Sequence, residues 1–316
     1  KNKSEDLLYS VPVPAQTGVS NTFVTMNAAS MENSGFEFSA TYRNRDHALK
    51  YDISANVSTL KNKVTSLGIG KNSYITGAYA TYVGQEIGKF YGWVYEGIAR
   101  TQDELDGHAT QQGANVGDCL YKDISGPNGE PDGVIDAYDQ TVLGSGLPKV
   151  NFGLSTHMEY KGFDLNISTY GVLNYHVSDD IYNSLNSCYG YGNKEVGMLD
   201  ANRWSEDGST YLSSVPRTYA ANNATLGWND LFSSRKIQNA AYWKIANVEL
   251  GYNFPDKWFG GYVSGVRLYV SAQNLYTFTG YHGYNVDYAG GTFTPGYNFC
   301  SFPSARTFMC GLHFTF

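Results

Sequence analysis

Charge is scarce in this chain of 316 residues: Asp, Glu, Lys and Arg together make up 16% of it, against about 25% in ordinary soluble domains. The balance runs acidic, with 29 carboxylates, 22 basic side chains and a formal net charge of −7. No basic stripe is available to meet phosphates, so nucleic acid is excluded as a partner. Long apolar runs are missing as well. No stretch approaches the ~18 consecutive apolar residues of a membrane-spanning helix. That excludes helical spans but not a barrel, whose strands need only ~9–11 residues of alternating character. Cysteine is limited to Cys119, Cys188, Cys300 and Cys310, at spacings that fit no zinc or redox motif; a loop disulfide between Cys188 and Cys300 is one expectation. The first residue is Lys, no leader pattern is visible, and the beginning reads as a cut.

What is abundant is Tyr (27), Gly (35), Asn, Ser and Thr, a mixture suited to strands and turns. Alternation dominates the pattern. Val150, Phe152, Leu154, Thr156, Met158 and Tyr160 share one parity, and Asn151, Gly153, Ser155, His157 and Glu159 the other. After Lys161-Gly162 the apolar set moves to odd numbers, Phe163, Leu165, Ile167 and Thr169. A two-residue turn makes Tyr160 and Phe163 cross-strand neighbours, and the parity switch is what such a hairpin requires. Phe36 to Tyr42 and Leu49 to Val57 repeat the signature around a turn at Arg45-Asp46. So do Val266 to Ala272, and a strand that places Tyr242, Ala246, Val248, Leu250 and Tyr252 on one face.

The expectation is an all-β chain of roughly nine strands. Short turns fall near 45, 161 and 255–261, and long structureless segments near 61–88, 100–148, 174–238 and 279–303. Such unequal connections mark an antiparallel transmembrane β-barrel; a soluble sandwich rarely needs several loops this long. Tyr42, Tyr160, Phe163, Tyr252, Phe254, Tyr276 and Phe278 sit near strand ends, as in an interfacial aromatic girdle. The last strand puts Phe308, Cys310, Leu312, Phe314 and Phe316 on one face, where a soluble terminus is usually polar and frayed.

In this context a series of short motifs resembles the SusC/RagA-type TonB-dependent transporters of the Bacteroidota. They are Asn33-Ser34-Gly35-Phe36-Glu37, Gly84-Gln85-Glu86-Ile87-Gly88-Lys89-Phe90-Tyr91-Gly92, Gly117-Asp118 with Asp132-Gly133-Val134-Ile135-Asp136, Arg203-Trp204, Pro216-Arg217, Tyr242-Trp243-Lys244 and Gln273-Asn274-Leu275. The stretch Tyr281-His282-Gly283-Tyr284-Asn285-Val286 departs from the family pattern by lacking Asp-Pro. The resemblance implies that residues 1–316 are the C-terminal part of a plugged barrel of about 22 strands, with plug domain and early strands outside this chain. It implies a cell outer-membrane location and import of glycan or peptide fragments driven by TonB. It also implies a SusD-like surface lipoprotein as partner and contact with lipid and lipopolysaccharide. The competing reading is a β-rich cell-surface binding or adhesion protein without transport.

Two groups of residues are candidates for a site. Asp123, Ser125, Asp132, Gly133, Asp136 and Asp139 resemble an EF-hand-like loop, and a second register runs through Asn128, Glu130, Asp132, Asp136 and Asp139. Clustered carboxylates call for a cation, and Ca²⁺ takes six to eight oxygens; an Asp/Gly turn cluster held by side chain–backbone hydrogen bonds is the alternative. The second group is aromatic: Trp228, Trp204, Tyr189 and Tyr191 as contacts for sugar or peptide, with Trp93 beside them and Trp258 as an interface anchor. An enzyme is not expected. Glu206/Asp207 lacks a recognisable constellation, and His47, His108, His157, His176, His282 and His313 form neither triad nor metal spacing.

Overall fold

The computed structural model describes residues 1–12, 23–68, 72–188, 193–196, 203–206, 213–218, 227–259, 263–287, 290–299 and 301–316. The chain opens with β1 (Asn2–Pro12), β2 (Phe23–Ser34), β3 (Glu37–Asn44), β4 (Leu49–Thr59) and β5 (Lys61–Leu67). Six short strands follow: β6 (Ser73–Thr76), β7 (Tyr79–Tyr82), β8 (Lys89–Gly92), β9 (Tyr95–Ile98), β10 (Cys119–Tyr121) and β11 (Thr141–Ser145). Next come β12 (Val150–Tyr160), β13 (Phe163–Leu173), β14 (His176–Asp179) and β15 (Gln238–Asn239), then β16 (Tyr242–Phe254) and β17 (Gly265–Thr279). The last are β18 (Gly290–Gly291), β19 (Thr294–Pro295), β20 (Tyr297–Asn298) and β21 (Thr307–Thr315). Helices α1 (Gln102–Asp106) and α2 (Asp180–Leu185) are each under two turns long.

Seven strands form one antiparallel sheet in the order β21-β17-β16-β13-β12-β4-β3. Its hairpins follow from sequence. Tyr160 faces Phe163, and Lys161 and Gly162 both have positive φ (48° and 88°), the conformation that a two-residue hairpin matched to strand twist demands. The connections at 45–48, 161–162 and 255–264 lie at one end of the sheet, and those at 60–149, 174–241 and 280–306 at the other. At that second end β3 runs back into β2, and β4 into β5, so one hairpin continues past the sheet. The bend sits at Gly35, where a Cβ would collide with the Thr59 carbonyl.

The two faces differ as the alternation requires. Phe38, Val57, Leu154, Ile167, Val248, Val270 and Phe308 lie on one face, and no second layer covers it among the described residues. Phe38 is 66% and Phe308 69% exposed, which in water would be an aggregation surface and in a sandwich would be the core. The opposite face carries ion pairs: Arg267 with Asp164 and, at 2.7 Å, Glu249; Arg45 with Asp52 at 2.5 Å; and His157 with Glu159 at 2.9 Å.

One expectation is corrected. Tyr242 does not share a face with Val248, Leu250 and Tyr252. A β-bulge at Ala246 makes Asn247 pair with Ser168 and Ile245 with Thr169, which reverses parity above it. The partner strand bulges opposite, between Gln273 and Tyr276, with Asn274 at φ 52°. Trp243, Tyr276 and Phe278 thereby reach the apolar face, Trp243 stacking on Phe278 at 5.2 Å, while Tyr242 and Lys244 turn to the polar side. The long connections are also not structureless. They form the sheets β11-β8-β7-β6, β10-β9 and β15-β14-β20, the last with a parallel pair. Backbone of that length has to satisfy its own N–H and C=O groups. The buried apolar clusters sit at this end, around Val64 and Leu67, around Cys119 and Tyr121, and around Tyr175 and Tyr281.

Candidate functional site

The three long connections meet in one assembly, and polar side chains tie them together. Asn229, 2% exposed, accepts the Cys119 N–H at 2.7 Å and donates to Asp118 Oδ1 at 2.8 Å and to the Arg217 carbonyl at 3.1 Å. Arg217 returns two bonds to the Asp118 carboxylate, at 2.7 and 2.8 Å. Asp179 caps α2 through the Tyr182 N–H and accepts from the Tyr281 hydroxyl and from Asn298. A carboxylate holding several donors at once is what makes such a buried tie favourable.

The aspartate segment forms a tight turn. Asp139 is fully buried: its Oδ1 accepts the Ile124 and Ser125 N–H groups and its Oδ2 the Asp136 N–H. Asp136 caps the 3₁₀ turn Ala137–Asp139 through the Tyr138 N–H at 2.7 Å. Asp123 Oδ2 accepts the Gly133 N–H, and Asp132 Oδ1 the Val134 N–H. The Ser125 hydroxyl donates to the Gly126 carbonyl. These bonds are the side chain–backbone contacts of an Asp/Gly turn. Among the described residues no three His, Cys, Asp or Glu side chains converge at a spacing that could hold a metal ion.

The aromatic candidates are dispersed. Trp228 packs on Tyr121, with ring centres 6.2 Å apart, and donates its indole N–H to the Gln112 carbonyl at 3.2 Å. Trp204 is 8% exposed and lies against Gly117, where a Cβ would strike its ring. Trp93 packs on Tyr121 and bonds the Asp136 carbonyl. Tyr189 and Tyr191 lie outside the described residues, as do Cys300 and Asp207. Trp258, 62% exposed, packs on Phe254 at the short-turn end. Cys119 and Cys188 are buried free thiols. Burial pushes the Cys119 thiol up to about 12 and raises Cys188, Tyr95 and Tyr121 as well, because a low-polarity surrounding disfavours their anions.

The local pattern gave no sign of the Asn229 tie or of Arg235. Arg235, on the 3₁₀ turn Ser234–Lys236, lines a cavity of about 280 Å³ with Lys236, Tyr95, Tyr182, Asn183 and Asn186. A single basic residue in a long connection resembles any solvated one until its surroundings are known.

An antiparallel sheet with an uncovered apolar face, aromatic ends, and turns sorted by length is the wall of a transmembrane β-barrel. Comparison with known proteins agrees. No family model matches the chain. It is 31% identical over 333 residues to TonB-dependent receptor P3 of Formosa agariphila, covering 99% of this chain and 31% of that protein. It is 27% identical over 329 residues to TonB-dependent receptor SusC of Bacteroides thetaiotaomicron, covering 99% and 29%. The RagAB peptide transporter structure superposes with a TM-score of 0.77 at 22% identity, over 98% of this chain and 32% of that one. The chain thus spans about a third of the length of these relatives. It resembles the C-terminal barrel portion of a SusC/RagA-type TonB-dependent outer-membrane transporter.

Proposed function

We propose that this chain is the wall and outer loop assembly of a TonB-dependent transporter in the cell outer membrane, importing glycan or peptide fragments. The carrying observation is the sorting of connections. All three short turns of the seven-stranded sheet lie at one end and all three long ones at the other, the asymmetry between periplasmic and extracellular sides of such barrels. The apolar face meets lipid and lipopolysaccharide, and the polar face lines the lumen. The free edges of β3 and β21 pair with further strands of the same barrel, because unpaired backbone in hydrocarbon costs several kcal/mol per group. A plug domain fills the lumen and couples to TonB. A SusD-like lipoprotein, the counterpart expected for SusC- and RagA-like chains, sits over the loop end as a lid.

Uptake of labelled oligosaccharides and oligopeptides by cells carrying the intact gene tests this reading. Import should be lost on deleting the gene and on uncoupling TonB. Unchanged import after deletion, or recovery of the protein in a soluble fraction without detergent, would rule it out.

A further inference from the structure

Arg235 lines a cavity and pairs with no carboxylate among the described residues. It makes no hydrogen bond or ion pair among the described residues. The largest electrostatic influences on it come from Cys119, Cys188, Tyr95 and Tyr121, whose neutral forms burial favours. Its neighbour Lys236 is accounted for: the ammonium donates to the Asp230 carbonyl at 2.5 Å and stands 3.9 Å from the Asp230 carboxylate. That carboxylate is further engaged by the Ser187 hydroxyl and the Cys188 N–H. Two other carboxylates contact residues of the cavity wall. Glu195 accepts from Asn186 at 2.8 Å, and Asp179 accepts the Tyr182 N–H at 2.9 Å. Each is held by a donor other than Arg235, and Arg235 lines the cavity with no ion-pair partner among the described residues.

The position is built rather than incidental. Ser234 donates its N–H to the Trp93 carbonyl at 3.0 Å, and its hydroxyl accepts the Tyr95 N–H at 3.0 Å. The turn that carries Arg235 is thus clamped to the strand leading into β9. A half-buried cation without a partner is expensive to maintain, and a guanidinium offers a planar fork of donors matched to a carboxylate. Asn183 and the tyrosines add neutral donors around it, whereas the Asn186 amide is already committed to the Tyr182 carbonyl and Glu195.

We infer that the cavity over Arg235 is a carboxylate-binding site in the outer loop assembly, with the guanidinium as the group that grips the anion. On the transporter reading above, this site selects cargo bearing a carboxylate, such as a uronic acid residue or the free C-terminus of a peptide.

The site is tested in the intact, unmodified transporter in detergent, by arginine modification with phenylglyoxal read by peptide mass spectrometry. The rate at Arg235 is compared in 50 mM sodium propionate and in 50 mM propionamide at matched ionic strength. A carboxylate held with a dissociation constant of about 5 mM would slow modification roughly tenfold by mass action. The expected result is slowing of at least fivefold by propionate and none by the amide. Equal rates in the two overturn the site, whatever the transporter does in cells. The cargo link is read separately: uptake of an oligouronate against its methyl ester, and of a peptide acid against its amide. Arg235→Gln should remove the preference for the acid in the pair that shows one, and Arg235→Lys should restore part of it. Protection at Arg235 with no acid preference in either pair overturns the cargo link. Protection without import of any labelled compound overturns the transporter reading instead.

Discussion

Ile167 and Ser168 are adjacent on β13, at the same depth and on opposite faces. Ile167 pairs with Thr156 and Val248 on the apolar side, and Ser168 pairs with Ser155 and Asn247 on the polar side. Their depth follows from the aromatic belts. Tyr252 is paired with Leu268, and Trp243 with Phe278. About ten residues of β17 separate these levels, at ~3.4 Å each and a tilt of about 40°, so the belts stand about 26 Å apart. That equals the apolar band of an outer-membrane barrel, ≈ 25 Å, and the Ile167 row lies near its middle. Ile167→Lys should cost about 2–4 kcal/mol, the penalty for Lys at the midplane of a lipid face. Ser168→Lys should cost less than about 0.5 kcal/mol, as for a solvated position. The assay is equilibrium unfolding in urea of the full-length protein in phospholipid vesicles. A buried protein core would also penalise Ile167→Lys, so lipid contact needs its own readout. Tryptophan at position 167 should be quenched by brominated acyl chains and tryptophan at 168 should not, each measured against the parent protein. Equal costs at the two positions, or quenching at 168 rather than 167, would refute the assignment of faces.

Gly251→Ala places a Cβ 2.5 Å from both Arg267 and Asp164, and should cost about 1–3 kcal/mol by urea denaturation; Gly280→Ala, which meets open space, serves as the neutral control. The Cys119 thiol, pushed up to about 12 by burial, should react with maleimide at pH 8 at least ~100-fold more slowly in the folded protein than in urea. Because the folded value lies above the unfolded one, this neutral thiol stabilises the fold fully below about pH 9, and the contribution is lost as pH rises toward 12. Alkaline unfolding should therefore shift to higher pH in Cys119→Ser. If Ca²⁺ occupies the aspartate turn, Asp123 and Asp132 must supply ligands, since both Asp139 oxygens already accept N–H groups. Calorimetry at millimolar Ca²⁺ should then show heat that Asp123→Asn abolishes, and absence of heat in the parent protein disposes of calcium there.

The sheet was legible because its signal is local. Alternation between Val150 and Thr169 gives the faces, and the parity switch across Lys161-Gly162 gives the register, which the Tyr160–Phe163 pair satisfies. The bulge at Ala246 was not legible. One unpaired residue leaves no mark in a period of two, and it moved Tyr242 to the other face. The loops were the least readable part. Asn229 meets Asp118 across 111 positions of sequence, and Arg217 meets it across 99; no window of neighbouring residues contains both ends of such a bond. For the same reason aromatic residues drew attention as ligand contacts although Trp204 is spent on packing. Arg235 did not, because what distinguishes it is a cavity whose wall comes from distant segments around Tyr95, Tyr182 and Val215.

The Asn229 tie also bears on how the protein forms. Three strand pairs of the sheet, β3–β4, β12–β13 and β16–β17, close over short turns, whereas the bonds among Asp118, Arg217 and Asn229 each close a circuit of about a hundred residues, except that between Arg217 and Asn229. Closing such circuits carries an entropic charge that grows with their length, and contacts of this separation form late. β12 and β13 lie between the two halves of the tie, so the loop assembly at that end of the sheet can lock only after those strands are laid down. A chain caught before that point would have its sheet in place and its loops unjoined, which makes the locked loops a record of completed assembly.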